Sequence, residues 1–213
     1  MSDPATPPSS STPGDPTGAP REFGMQQGKV FPATSARSLV NPLRRVVQSP
    51  DRTIRAAQLP PGARVLEIGA GPGFFSPAIA RAVPGGHLVV TDLQGEMVEM
   101  ASRRVRSDRS TPVSFARTDA AQLPFSDGAF DVVFVATMLG EVPDLDRCVA
   151  EVRRVLAPNG VAVVAETRRD SDFIPIHDLR ALMAGHSFEL LGRRGSRWQY
   201  VARFRATERA LDP

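Results

Sequence analysis

The stretch RVLEIGAGPGFF, Arg64 to Phe75, decides the fold. An apolar run carrying one acid, Glu67, leads into three alternating glycines, Gly69, Gly71 and Gly73, and closes on Phe74 and Phe75. Such a run reads as a buried strand, and glycines at this spacing make a tight turn into a helix with the backbone open to a ligand. Downstream the chain alternates. RVLEIG is followed by a helix over FFSPAIARAV, a strand HLVVTD, a helix GEMVEMASRRV, a strand VSFART and a loop AAQLPFSDGAF. A strand DVVFVAT, a helix DLDRCVAEVRRVL and a strand VAVVAE complete the alternating part. The strands are rich in valine and nearly continuous in apolar character, as strands buried on both faces of a parallel sheet are. A helix over HDLRALMAG and two more strands, SFELLGRR and RWQYVARFRA, close the chain around a Gly-Ser turn. The order predicts an α/β, doubly wound, Rossmann-like sheet of seven strands, mostly parallel, with an antiparallel C-terminal hairpin strand at its edge.

Working outward, residues 1–22 hold six prolines and no Leu, Ile, Val or aromatic residue, which predicts a disordered tail. Residues 23–60 contain two helix starts of the cap-then-proline type, Asn41-Pro42 and Ser49-Pro50, and are expected to form a helical lid. Residues 61–207 form the ligand-binding domain and 208–213 a C-terminal tail. With 213 residues, 41% hydrophobic and 23% charged, the chain suits one globular domain with additions. It has no apolar run of roughly 18 residues that would span a membrane, and its first residues lack the basic and apolar regions of a signal peptide. A cytoplasmic protein is expected.

Composition narrows the chemistry. The lone cysteine, Cys148, lies on a helix face, and with three scattered histidines it makes no metal-ligand spacing, so no metal is predicted. The net charge is +3, with twenty-five arginines against one lysine. Most of these arginines fall on predicted helices and strand ends, which reads as solvated surface rather than a nucleic-acid face.

Ligands of doubly wound sheets sit at the carboxyl ends of the strands, where the strand order switches, and the glycine turn lies there. Asp92 ends the second strand nineteen residues after Gly73, placed to accept both hydroxyls of a ribose. A dinucleotide loop needs a small residue where this chain has Phe74. Glu67 matches an ammonium group and opposes phosphates, and Pro72 removes a backbone donor that a pyrophosphate would use. The ligand expected on these grounds is S-adenosylmethionine.

The segments VLEIGAGPG, VVTDLQGEMVEMA, RTDAAQLPFSDGAFDVV and AEVRRVLAPNGVAVVAE resemble the class I S-adenosylmethionine-dependent methyltransferases. The likeness is to the small-molecule branch that includes the ubiquinone and menaquinone C-methyltransferases, and it runs from about Val65 to Arg205. It implies that Glu67, Gly69, Gly71 and Gly73 surround the methionyl part of S-adenosyl-L-methionine and that Asp92 holds the ribose. It further implies Leu93 against the adenine, Asp119 on the exocyclic amine and the Ala120 backbone beside the ring. Asp119 reads equally well as a turn-forming residue after the third strand.

The reaction implied is methyl transfer to a small organic acceptor by in-line displacement. Phe74, Phe75, Met138 and Leu139 are candidates to line an apolar acceptor pocket, and Arg37, Arg44 and Arg45 to meet an anionic group on the acceptor. After the fourth strand, ATMLGEVPD carries Glu141 where many relatives have a histidine-containing LHHV. Glu141, and less directly His177, are the candidates to orient or deprotonate an acceptor. A non-catalytic protein binding the same ligand would carry the same cofactor motifs. A nucleic-acid methyltransferase acting on base amines would carry an Asn-Pro-Pro-Tyr-like motif after the fourth strand, where this chain has ATMLGE.

Overall fold

A computed structural model describes residues 48–105 and 111–207. The expected tails at 1–22 and 208–213, the helix start at Asn41-Pro42 and the three N-terminal arginines lie outside the described residues. Helix α1, Pro50–Ala57, begins as expected: Ser49 is its cap and accepts the Arg52 N–H at 3.4 Å, with Pro50 at the first helical position. Ile54 and Ala57 sink into the core, so this described part of the 23–60 segment is part of the domain's packing.

The alternation follows in order: β1 Arg64–Ile68, α2 Ser76–Ala82, β2 His87–Asp92, α3 Gly95–Arg104, β3 Val113–Arg117 and β4 Phe130–Ala136. After a 3-10 turn at Leu139–Glu141 come α4 Leu145–Val155, β5 Leu156–Thr167, α5 Ile176–Gly185, β6 Phe188–Gly195 and β7 Gln199–Ala206. The strands form one seven-stranded sheet in the order β3-β2-β1-β4-β5-β7-β6. The first five pair in parallel, and β7 pairs antiparallel with both β5 and β6. The expected antiparallel hairpin is present and forms that edge of the sheet. β7 inserts beside β5, and β6 takes the outer place. The burial explains the order: Tyr200, Ala202 and Phe204 of β7 are almost fully buried, whereas β6 ends in exposed Arg193, Arg194 and Gly195.

Alternate residues of the central strands feed two cores. On one face Leu66, Ile68, Val133, Val135, Ala162 and Val164 pack with α4 and α5 through residues such as Val149, Val152, Leu179 and Leu182. On the other, Val65, Val132, Phe134, Val163 and Ala165 pack with α1, α2 and α3 through Ile54, Ile79 and Ala101. A period of two on strands that are apolar on both faces therefore requires helices on both sides. Cys148 lies in the first core, and burial pushes its thiol up to about 12, which leaves it an inert packing residue.

One side chain organises the long loop between β3 and β4. Arg154, from the last turn of α4, donates to the carbonyls of Leu123 and Phe125 at 2.9 and 2.7 Å and to the Asp127 carboxylate at 2.8 Å. Glu151 grips the same guanidinium and accepts the Leu123 N–H at 2.8 Å. Leu123 is thereby pinned in the core. Arg154→Ala strands these acceptors and is expected to cost about 2 kcal/mol in urea denaturation, with faster amide exchange across residues 118–128. Unchanged exchange there would contradict the pinning.

Candidate functional site

The chain runs from β1 outward through β2 to β3, returns to β4 beside β1, and continues to β5 on the other side. The gap between β1 and β4 is thus the switch point, and the glycine turn and the 3-10 turn stand on its two sides. Gly69, Gly71 and Gly73 have φ of 65°, 54° and 76°, a region that side-chain-bearing residues adopt at a cost. Space excludes a side chain too. A Cβ on Gly69 would lie 2.7 Å from Met138 Cγ, and one on Gly73 would lie 2.9 Å from the Ala101 backbone. Met138 is brought there by Thr137, a β-branched residue held at φ 48° with its N–H donating to Ala165 O at 2.9 Å.

Asp92 closes the turn. Its Oδ2 accepts the Gly71 N–H at 2.8 Å and its Oδ1 accepts the Gln94 N–H at 2.9 Å. Burial raises its pKa and these backbone donors pull it back. Each oxygen keeps lone pairs beyond the one spent on the backbone, so the carboxylate can still accept from a diol. Leu93 follows with 43% of its surface exposed, and with Gln94, Gly95, Glu96 and Arg117 it lines an open depression beside Asp92. Arg117 donates to Leu93 O at 2.8 Å.

Glu67 is the costly residue. It sits on β1 itself, paired in register with Val90 and Phe134, with 2% of its surface exposed. Its Oε2 is buried without a hydrogen-bond partner, and so is Ser76 Oγ at the start of α2. Burial pushes its carboxyl up to about 8. The Ser76 hydroxyl opposes the shift without completing a hydrogen bond, and the charge of Asp92 adds to it. A buried acid in this state awaits a cation, and an ammonium group supplies three donors.

Asp119 and Ala120 follow β3. Asp119 Oδ1 accepts the Ala121 N–H at 2.9 Å, which is the turn expected of an Asx residue, while the side chain stays exposed and Ala120 is buried. Phe74 and Phe75 are both 4% exposed and meet edge to face at 5.0 Å, with Phe75 also against Phe134. The helix consequently starts at Ser76, two residues later than expected. Leu139 is core as well, so of the four proposed pocket residues only Met138 faces the glycine turn. His177 stands apart: its side chain is 78% exposed and pairs with the adjacent Asp178 at 3.2 Å. Glu141 ends the 3-10 turn and meets two acids that sequence reasoning missed, Asp170 and Asp172. The only trace of them was the DSD after the fifth strand.

Residues 66–164 match the family model described as a methyltransferase domain. The ubiquinone/menaquinone biosynthesis C-methyltransferase UbiE of Bordetella avium is 40% identical over 118 residues, covering 55% of this chain and 46% of that protein. This chain carries a class I S-adenosylmethionine-dependent methyltransferase domain. The Vibrio campbellii protein of the same name is 32% identical over 146 residues, 67% of this chain and 54% of that protein. The chain thus spans about half the length of the curated relatives it matches. A solved SAM-dependent methyltransferase from Aquifex aeolicus shares the fold, with a TM-score of 0.73 at 19% identity over 84% of this chain and 100% of that one. The cofactor of this class is S-adenosyl-L-methionine. The methyltransferase domain fits it on two counts: the buried Glu67 carboxyl, whose Oε2 has no hydrogen-bond partner, suits the amino group, and the Asp92 carboxylate keeps lone pairs for a ribose diol.

The sign of the pH dependence follows from Glu67. Unfolded, its carboxyl ionises near 4.5; folded, it keeps its proton to about 8, so ligand-free stability falls as pH rises through that window. Glu67→Gln does not titrate. Its stability relative to wild type should grow from about pH 5 to about pH 9, by roughly 4 kcal/mol in denaturant melts. Cofactor affinity should drop in the same variant. A difference that stays flat with pH would contradict the assignment.

Proposed function

We propose that the chain transfers a methyl group from S-adenosyl-L-methionine to a small organic acceptor. The observation that carries this reading is the pairing of the buried Glu67 carboxyl, whose Oε2 lacks a hydrogen-bond partner, with the Asp92-braced glycine turn. Bound at this turn, the cofactor supplies an electrophilic methyl on a positively charged sulfur. Glu67 receives the amino group. Asp92 receives the ribose hydroxyls on the lone pairs its backbone donors leave. Leu93 offers an apolar surface to the adenine, and Asp119 with the Ala120 backbone borders the ring.

Transfer from a bound cofactor would disperse charge from its sulfur, so an apolar wall would cost the transition state little. Met138, held over Gly69 by the strained Thr137, supplies part of that wall. To Glu141, in the 3-10 turn after β4, we assign the role of orienting an acceptor or taking its proton. His177 contributes nothing we can assign from its exposed position. The named relatives are C-methyltransferases of ubiquinone and menaquinone biosynthesis. This chain has LGEV where the histidine-bearing pattern would stand, so we infer only the coarser acceptor class.

Asp92→Ala should weaken S-adenosylhomocysteine binding in calorimetry by about tenfold or more, through loss of two charge-assisted hydrogen bonds. Unchanged affinity would remove Asp92 from the ribose. Glu141→Gln should leave that affinity intact and lower methyl transfer to whichever acceptor a radiolabelled cofactor screen reveals. Binding without turnover on any acceptor would instead support a non-catalytic cofactor-binding protein.

A further inference from the structure

β7 runs antiparallel to β5, with Gln199 paired to Thr167, so the turn joining β6 to β7 stands at the carboxyl end of the parallel strands. Arg193 to Trp198 are exposed at every position of this turn, and so are Arg168 and Arg169 directly after β5. The turn is firmly built. Gly195 has φ of 104°, and a Cβ there would run into the Gln199 carbonyl oxygen. The Ser196 N–H donates to Gln199 O at 2.8 Å, and the Ser196 hydroxyl oxygen accepts the Trp198 and Gln199 N–H groups, each at 3.2 Å. The Arg168 N–H donates to Trp198 O at 2.7 Å, which ties the turn to the end of β5.

Trp198, the one tryptophan of the chain, keeps 43% of its surface exposed. The guanidinium carbons of Arg168 and Arg197 lie 4.2 and 4.6 Å from its ring, so the indole holds both cations at the tip. Among the described residues no carboxylate pairs with Arg168, Arg169, Arg193, Arg194 or Arg197. These five charges exceed the net +3 of the whole chain, which is therefore net negative outside them. The sequence spreads its arginines over many elements, and the gathering of these five around one indole follows from β5, β6 and β7 meeting at one end of the sheet.

A surface of this kind calls for an anionic partner that also receives an indole. The chain's own segment from Phe23 to Val47 holds four basic residues and no acid, so it does not complement the patch. Single-stranded nucleic acid stacks its bases on open aromatic faces, whereas here two guanidinium groups already pack on the ring. An anionic bilayer surface meets both needs. Tryptophan favours the membrane interface, which accommodates its apolar body and its polar N–H together. Arginine forks match phosphate oxygens, and each basic group adds affinity at a negatively charged leaflet.

We propose that the β6–β7 turn, through Trp198 and the five arginines around it, docks the protein on an anionic phospholipid surface. The indole enters the headgroup region while the guanidinium groups take the phosphates, and the carboxyl end of the sheet faces the bilayer. The docking is independent of methyl transfer, and its test reads lipid alone.

Trp198 reports on the docking directly. Vesicles of phosphatidylcholine and phosphatidylglycerol in equal parts should shift the emission of the full chain to the blue and carry it down in sedimentation. Vesicles of phosphatidylcholine alone should do neither, and added salt should release the protein. Arg193→Gln combined with Arg194→Gln should weaken binding to the mixed vesicles by roughly twentyfold, at about fivefold per arginine. Trp198→Ser should weaken sedimentation as well, with circular dichroism checking that each variant folds. Absence of binding to the mixed vesicles at low salt would overturn the proposal. Equal binding to both kinds of vesicle, or full binding by the folded arginine variant, would do the same. Tighter binding of a single-stranded oligonucleotide than of mixed vesicles, lost in the arginine variant, would assign the turn to nucleic acid instead.

Discussion

The Gly71 N–H and the Asp92 carboxylate meet at 2.8 Å, and that contact ties the end of β1 to the end of β2. The turn between β1 and α2 must reverse within a few residues while leaving room on its outer side, which is why three of its positions adopt positive φ. The Asp92 bond fixes that backbone, and the Ala70 N–H to Thr91 O bond at 2.9 Å reinforces it. Everything at the carboxyl end of the sheet is placed relative to this join. Met138 lies over Gly69, Leu93 is thrust outward beside it, and the Ser76 hydroxyl starts α2 above Glu67.

The same end of the sheet concentrates groups that the fold alone would not select. Glu67 and Glu166 are each buried acids with carboxyl oxygens lacking partners, and Thr137 holds a strained backbone between them in the chain. Glu67 lies among Leu66, Ile68, Val90 and Phe134, and Glu166 follows Ala165 and pairs with Tyr200. Replacing either by an apolar residue would relieve a desolvation cost, so their presence is a statement about ligands rather than packing. Glu67 fits the amino group of S-adenosyl-L-methionine.

Much of this was legible in the sequence because it is local. The first two strands, the glycine turn and Asp92 lie within about thirty residues of one another, and their spacing alone implies a switch-point ligand. Phe74, where a dinucleotide loop keeps a small residue, argues against such a ligand from the sequence, and its side chain is buried. What stayed hidden depends on contacts across long separations. The outer place of β6 is set by which strand buries Tyr200 and Phe204, and the hairpin sequence does not state which strand joins β5. The grip of Arg154 on a loop nearly thirty residues earlier, and the meeting of Glu141 with Asp170 and Asp172, likewise arise only when α4, β4 and β5 are assembled. The Asx turn at Asp119 was readable, whereas its part in binding rests on the family resemblance.

The central claim is that Glu67 is held uncharged by burial and is charged by the cofactor's amino group. The most direct measurement is a ¹³C-detected NMR titration of the Glu67 side-chain carboxyl with and without S-adenosylhomocysteine, assigned through Glu67→Gln. The account predicts a midpoint near 8 in the free protein that falls into or below the ordinary carboxylate range when the ligand binds, with a proton released at neutral pH. A midpoint that the ligand leaves unchanged would contradict it.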